Sequence, residues 1–367
     1  MLKGEGSMML DMEAKMKATA HAIVAQVACL RRGLNTLIIC GKHNVAFAEF
    51  LMKECYDEHA FPHLWMWDEN LLSVVSKRAA QGLNAEIPKH TLSLLTSSDL
   101  VIWLTQFENP VKAGKDLGAA VCSFWDRVDQ VVKNRPLLAV NLFSMKSMEC
   151  MDIEYEEYLG SFFEAVNLDY RRMREIGKKI LTSLKRRKLI NVTDPNGTNL
   201  TFSINDRRVC FEAGTLQDCY LTGKECEVEV PGGEVYVAPV ETSAFGTLVA
   251  DEVRDFGVRR LQMNFEAGQM VDFRADKGEP AFRKFLHEAS GKKDMIAEFA
   301  LGTNYAVRPM GLRIQDEKAL GTAHVAIGNN VHLGGINDSS IHVDFNLYEP
   351  TVRADNHVVM KRGRLTE

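Results

Sequence analysis

From Asp11 to Leu30 apolar residues recur at helical spacing, and Arg31-Arg32-Gly33 supplies a cationic last turn and a stop. Thr36 to Cys40 (TLIIC) is a short apolar run that predicts a buried strand. The alternation continues with a helix from Asn44 to Glu58, a strand from His63 to Trp67 and a helix from Asn70 to Gln81. A strand from Leu100 to Leu104, a helix from Gly114 to Val132 and a strand LLAVNL opened by Pro136 complete the pattern. Helices alternating with fully apolar strands predict a parallel sheet covered on both faces.

Between Met148 and Lys188 the sequence predicts two helices, the second with acids early and bases late, as the helix dipole favours. At Leu189 the pattern changes. NVTDPNGTNLTFSIN sets Asp194-Pro195-Asn196-Gly197 between β-rich segments, a hairpin signal. Strand patterns follow over Cys226 to Val240, Thr247 to Val253, Ile296 to Leu301, Ala323 to Gly328, Ser340 to Leu347 and His357 to Lys361, with one helix from Pro280 to Ser290. The expected architecture is a doubly wound α/β N-terminal domain over 1–165, a linking helix over 166–188, and a mainly β (α+β) C-terminal domain over 189–367.

Composition narrows the function classes. The 367 residues are 46% hydrophobic and 25% charged, an ordinary globular balance. A net charge of −5 argues against a nucleic-acid binder, and the run Lys185 to Lys188 reads as a solvated helix end. Eight cysteines without a CxxC pair fit a reducing compartment. No signal-like or membrane-length apolar run is present, so a cytoplasmic protein without membrane or nucleic-acid partners is expected. Gly41-Lys42-His43-Asn44 follows a strand, but neither GxGxxG nor a P-loop is found.

The chemistry concentrates in the C-terminal half. His342 and Asp344, in SSIHVDFNL, share one face of a strand while Val343 and Phe345 face the core. Glu298 stands inside an apolar strand, His324 lies among small residues, and Glu234 follows a Pro-Gly-Gly turn. Buried carboxylates and imidazoles need a partner, and a metal ion supplies one. Three carboxylates and two imidazoles suit zinc, cobalt, manganese or iron and disfavour calcium. Two such ions about 3.5–4 Å apart would polarise a carbonyl and activate water, which serves hydrolysis. Glu317 is a candidate general base or a partner orienting His324, and Glu241 has a similar claim. Arg308 could bind a substrate carboxylate, and the loop from Gly334 to Ser339 could border the pocket.

Through PGGEVYVAP, AEFALG, QDEKALGTAHVAIG and SSIHVDF the chain resembles the thermophilic aminopeptidases of peptidase family M29. The resemblance implies a metal-dependent aminopeptidase acting on short peptides, a homodimer, and ligands at Glu234, Glu298, His324, His342 and Asp344. The family also uses a tyrosine shortly after the histidine matched by His324. Here Asn330 and Val331 occupy that region, and Tyr305 or Tyr348 would have to reach in from elsewhere. The wider superfamily includes ring-cleaving iron enzymes resembling 2,5-dihydroxypyridine dioxygenase, which keep the HxD pair with a single ion. A mononuclear iron dioxygenase acting on a small molecule is thus the second reading, and a non-catalytic binding protein on the same fold is the third.

Overall fold

The computed structural model describes residues 2–70, 74, 87–109, 119–133, 135–217 and 227–366. The helix expected from Asn70 to Gln81 and the opening of the one from Gly114 lie largely outside them, as do Cys219 and Cys226. The chain divides into two compact units, one of residues 1–168 and 214–232 and the other of 169–213 and 233–367.

The first unit holds β1 (Asn35–Gly41), β2 (Phe61–Trp67), β3 (Leu100–Leu104), β4 (Leu137–Val140) and a later strand, Glu227–Val230. All pair in parallel, in the order β2-β1-β3-β4 and then Glu227–Val230. Parallel neighbours cannot be joined by tight turns, so helices make the crossovers, among them Val45–Asp57, Lys89–Ser97 and Ala119–Val132. Leu37, Ile39, Val101 and Leu137 pack with Leu95, Phe124, Val128 and Val132. The motif at Gly41 serves the fold: Asn44 donates to the carbonyls of Thr105 and Leu142, tying together the segments that follow β1, β3 and β4.

The second unit opens with the helix Tyr170–Leu184. Its strands are β5 (Leu189–Thr193), β6 (Asn199–Ser203) and β7 (Cys210–Glu212), then, numbering Glu227–Val230 as β8, β9 (Glu234–Val237), β10 (Phe245–Val253), β11 (Val258–Glu266) and β12 (Gln269–Arg274). They continue with β13 (Ile296–Gly302), β14 (Thr322–Gly328), β15 (His342–Tyr348), β16 (Thr351–Ala354), β17 (His357–Lys361) and β18 (Arg364–Leu365). The hairpin expected at Asp194 joins β5 to β6, with the Asp194 carboxylate accepting from the Thr198 amide and hydroxyl. No strand is expected from the sequence over β11, β12 or β16, because Arg, Gln, Asn and Asp on their outer faces thin the apolar signal.

An eight-stranded sheet, β12-β11-β10-β6-β5-β16-β17-β18, and a five-stranded one, β15-β14-β13-β9-β7, are both antiparallel. They share one core, in which Phe202 of the larger sheet meets Phe299 of the smaller with ring centroids 5.2 Å apart. Val235, Val237, Phe299, Leu301, Val325, Ile327, Val343, Phe345 and Leu347 all enter this core from the smaller sheet.

Candidate metal centre

That inventory leaves the alternate residues of the same strands on the other face. Register assigns them: Glu234 pairs Gly302, Ala300 pairs both Tyr236 and His324, Ala326 pairs both Glu298 and Asp344, and Gly328 pairs His342. Residues directly opposite in an antiparallel ladder share a face. Glu234, Glu298, His324, His342 and Asp344 therefore project from one side of the sheet, among Ala300, Gly302, Ala326 and Gly328, with Tyr236 and Asn346 on the same face. Regular alternation from Glu298 to Ala300 sets Glu298 on the same face as His324, and a bulge between Ile296 and Glu298 lets Ile296 turn into the core. Gly328 has φ +105 and a Cβ there would run into the Ile341 carbonyl, so glycine is required where β14 closes on His342.

Glu298 Oε2 lies 3.0 Å from His342 Nε2, and Asp344 Oδ1 lies 3.3 Å from the same nitrogen. His324 Nε2 is 3.5 Å from Glu234 Oε2, 3.8 Å from Asp344 Oδ1 and 3.9 Å from Glu298 Oε1. Two groups could hold a metal ion, Glu234-Glu298-His324 and Glu298-His342-Asp344, each with ligand atoms within 4.8 Å of one another. Glu298 belongs to both. His342 Nδ1 meets the Asn329 carbonyl at 2.6 Å. A carbonyl only accepts, so Nδ1 carries a proton and Nε2 is the nitrogen turned to the cluster, where a metal ion would compete with a proton for it.

Burial alone would keep both rings neutral. Around His342 the carboxylates of Asp344 and Glu298 outweigh it and hold the ring up at about 11. Around His324 the charges of Asp344, Glu234, Glu317 and Glu298 raise it likewise. Burial works against the Asp344 anion too, but His342, His324 and Arg313 hold its carboxyl well below the ordinary carboxylate range. The face thus draws positive charge, as protons or as a metal ion competing for the same nitrogens.

Three residues that the sequence reading did not single out adjoin the cluster. Lys318 is buried with Nζ 2.9 Å from Glu234 Oε1 and 3.0 Å from Glu317 Oε1. Arg313 Nη1 is 3.4 Å from Asp344 Oδ2. The His332 ring stands 5.3 Å from the His342 ring, edge-on. The two basic residues arrive on a loop held by Asp316, whose carboxylate accepts from the Met310 and Gly311 amides and the Tyr348 hydroxyl. In QDEKALGTAH Lys318 follows Gln315, Asp316 and Glu317, a polar start that carries no sign of its burial.

The remaining candidates fall as follows. Glu317 is buried against Lys318. Glu241 accepts from Arg207, from the Asn330 side-chain amide and from the Ile336 backbone, so it anchors the loop from Asn330 to Asn337. Burial opposes its charge, but these donors outweigh burial and lower its pKa. Arg308 is exposed. Tyr305 accepts from the Asp169 amide, and Tyr348 donates to Asp316. Both tyrosine hydroxyls are thus engaged by other groups. His332, next in sequence to Val331, is the side chain that the chain brings beside His342 where the tyrosine was sought.

Residues 168–364, more than half of the chain, match the family profile described as thermophilic metalloprotease (M29). The chain belongs to the M29 family. It is 24% identical over 171 residues to aminopeptidase AmpS of Bacillus subtilis and 24% identical over 172 residues to aminopeptidase PepS of Streptococcus thermophilus. Each match spans 41% of this chain and 40% of the relative, so well under half of those proteins' length is matched. In three dimensions AmpT from Thermus thermophilus superposes with a TM-score of 0.73 at 18% identity, covering 96% of this chain and 99% of that one. The 2,5-dihydroxypyridine dioxygenase of Pseudomonas putida KT2440 superposes with a TM-score of 0.66 at 13% identity, covering 96% and 97%. The M29 fold is thus common to enzymes named for two different reactions.

The cluster fits a divalent ion on its own chemistry. Glu234 Oε2, which faces His324, is buried and has no hydrogen-bond partner among the described residues, and such an atom is costly to leave unsatisfied. A set of carboxylate oxygens and imidazole nitrogens suits zinc, cobalt or manganese, and iron as well.

Proposed function

We propose that this chain is a metal-dependent hydrolase that releases N-terminal amino acids from short peptides. The observation that carries this reading is the pair of metal-capable groups sharing Glu298 on one sheet face, inside the stretch that defines M29 membership. Glu234, Glu298 and His324 would hold one ion, and Glu298, His342 and Asp344 the other. Bound there, divalent ions supply a Lewis acid and water acidic enough to ionise near neutral pH. His342 is oriented for this by the Asn329 carbonyl. Glu317, buried within the cluster, is the group for proton transfer. Glu241, with its oxygens engaged by Arg207, Asn330 and Ile336, holds the loop that carries His332. The names of aminopeptidases AmpS and PepS support a peptide substrate, and the family resemblance supports a homodimer, which gel filtration with light scattering tests.

The deciding experiment strips the protein with a chelator, adds cobalt or zinc, and measures amino acids released from short peptides. Restored release is expected. Two bound ions with no release from any peptide would sink the proposal.

One observation favours a second reading, a mononuclear iron dioxygenase acting on a hydroxylated ring. His324, His342 and Asp344 are two histidines and a carboxylate, the donor set of non-haem iron oxygenases, and the Pseudomonas dioxygenase shares the fold over nearly the whole chain. It predicts one iron per chain and oxygen uptake with a dihydroxypyridine, where the first reading predicts neither.

A further inference from the structure

The two places for metal are not equivalent, and the difference lies in Lys318. Its side chain is 5% exposed, and its ammonium bridges Glu234 Oε1 and Glu317 Oε1 at 2.9 and 3.0 Å. A buried ammonium needs such partners, since water cannot replace them. Glu234 is also, with His324, one of the two residues peculiar to the first metal-capable group. Its second oxygen, Oε2, faces His324 Nε2 at 3.5 Å. An ion bound by Glu234, Glu298 and His324 would therefore share a carboxylate with the ammonium, and two like charges at that range inside a protein repel strongly.

The Glu298-His342-Asp344 place differs in the burial and closeness of its cation. Its neighbouring cation, Arg313, likewise takes one oxygen of a ligand carboxylate, but it is 27% exposed and 3.4 Å from Asp344 Oδ2, so water screens it and it holds its carboxylate less closely than the buried Lys318 holds Glu234. The imidazole of His342 is already turned by the Asn329 carbonyl. The charge count agrees. Four carboxylates, Glu234, Glu298, Glu317 and Asp344, face two fixed cations, Lys318 and Arg313, and a single divalent ion cancels the two negative charges left over.

We propose that Lys318 ranks the two places: the first ion enters at Glu298-His342-Asp344, and the Glu234 place accepts a second only as the ammonium is displaced. Lys318 is then the residue that sets how many ions the chain holds at limiting metal. The proposal rests on the metal-centre reading above but not on the reaction it catalyses.

The test is calorimetric titration of the full-length, metal-stripped chain with Zn2+, and separately with Co2+, with elemental analysis after desalting. The wild type is expected to bind in two steps separated by about 100-fold or more in affinity, and to retain one ion through desalting. In Lys318→Met, which keeps the length of the side chain and removes its charge, the second step should tighten by about tenfold or more. Lys318→Arg should keep the steps apart. Two ions of equal affinity in the wild type overturn the ranking whether or not Lys318→Met folds, and so does an unchanged gap in a folded Lys318→Met. If equal binding is accompanied by peptide release, the ranking fails and the proposed function stands. If no ion binds, both fall.

Discussion

Glu298 is the residue on which the centre depends, because it is shared by both metal-capable groups and stands buried in a strand whose other side is core. Glu298→Gln keeps the size and removes the charge. Affinity for Zn2+ should fall by about 100-fold or more, since a neutral amide is a poor ligand and His342 loses its nearest anion. Titration of the stripped variant checks this, and wild-type affinity would show that the carboxylate is structural. Asp316 gives a pH signature at the same scale. Burial lifts its carboxyl from 3.8 to about 6, against the hydrogen bonds from Met310, Tyr348 and Gly311 and the charge of Arg254. A folded-state pKa above the unfolded value means that folding takes up a proton between the two. The stabilisation is therefore complete below the lower value and lost as pH rises through the upper one. Between pH 4 and pH 6 the wild type should lose urea stability relative to Asp316→Asn. Parallel profiles for the two proteins would contradict the assignment.

At the level of the element, the alternation within β13, β14 and β15 does two jobs at once. Phe299, Val325, Val343 and Phe345 fill the core, and the residues between them carry the candidate ligands, so fold and site depend on one register. Gly328 guards that register. Gly328→Ala puts a Cβ at positive φ against the Ile341 carbonyl and should cost about 2–4 kcal/mol in urea unfolding, with weaker metal binding because His342 is its direct partner. A cost under about 0.5 kcal/mol would mean that the strand end relaxes freely. Individual strands of this sheet were legible because their apolar residues are dense. The hairpin at Asp194 was legible from turn chemistry alone. β11 and β12 were not, since half or more of their residues carry charge or amide groups, and β16 was not, since it is only four residues long with Arg353 exposed in its middle.

For the whole molecule, metal binding and stability are linked, because ligands drawn from β9, β13, β14 and β15 come together only in the folded unit. Zn2+ at about 100 times its Kd should stabilise the chain by about 2.7 kcal/mol, seen as a rise in Tm that a chelator reverses. Identical melting with and without metal would contradict a preformed centre. The period of the apolar residues in the sequence was enough to establish a parallel α/β part and a mainly antiparallel part, because period is a local property. Residue type singled out Glu298, His324, His342 and Asp344 as candidate ligands, because acids and imidazoles among apolar residues demand a partner wherever their strands go, and Glu234 joined them only by its company. Only the tertiary structure decided which strands lie side by side. Glu227–Val230 pairs in parallel with β4, while Glu234–Val237, a few residues on, pairs antiparallel with β13. It also decided that Glu241 anchors a loop, that His332 stands beside His342, and that the ammonium of Lys318 lies among the carboxylates. In a sequence such a lysine reads as one more exposed charge, and what makes it consequential is burial beside Glu234, more than eighty residues away along the chain.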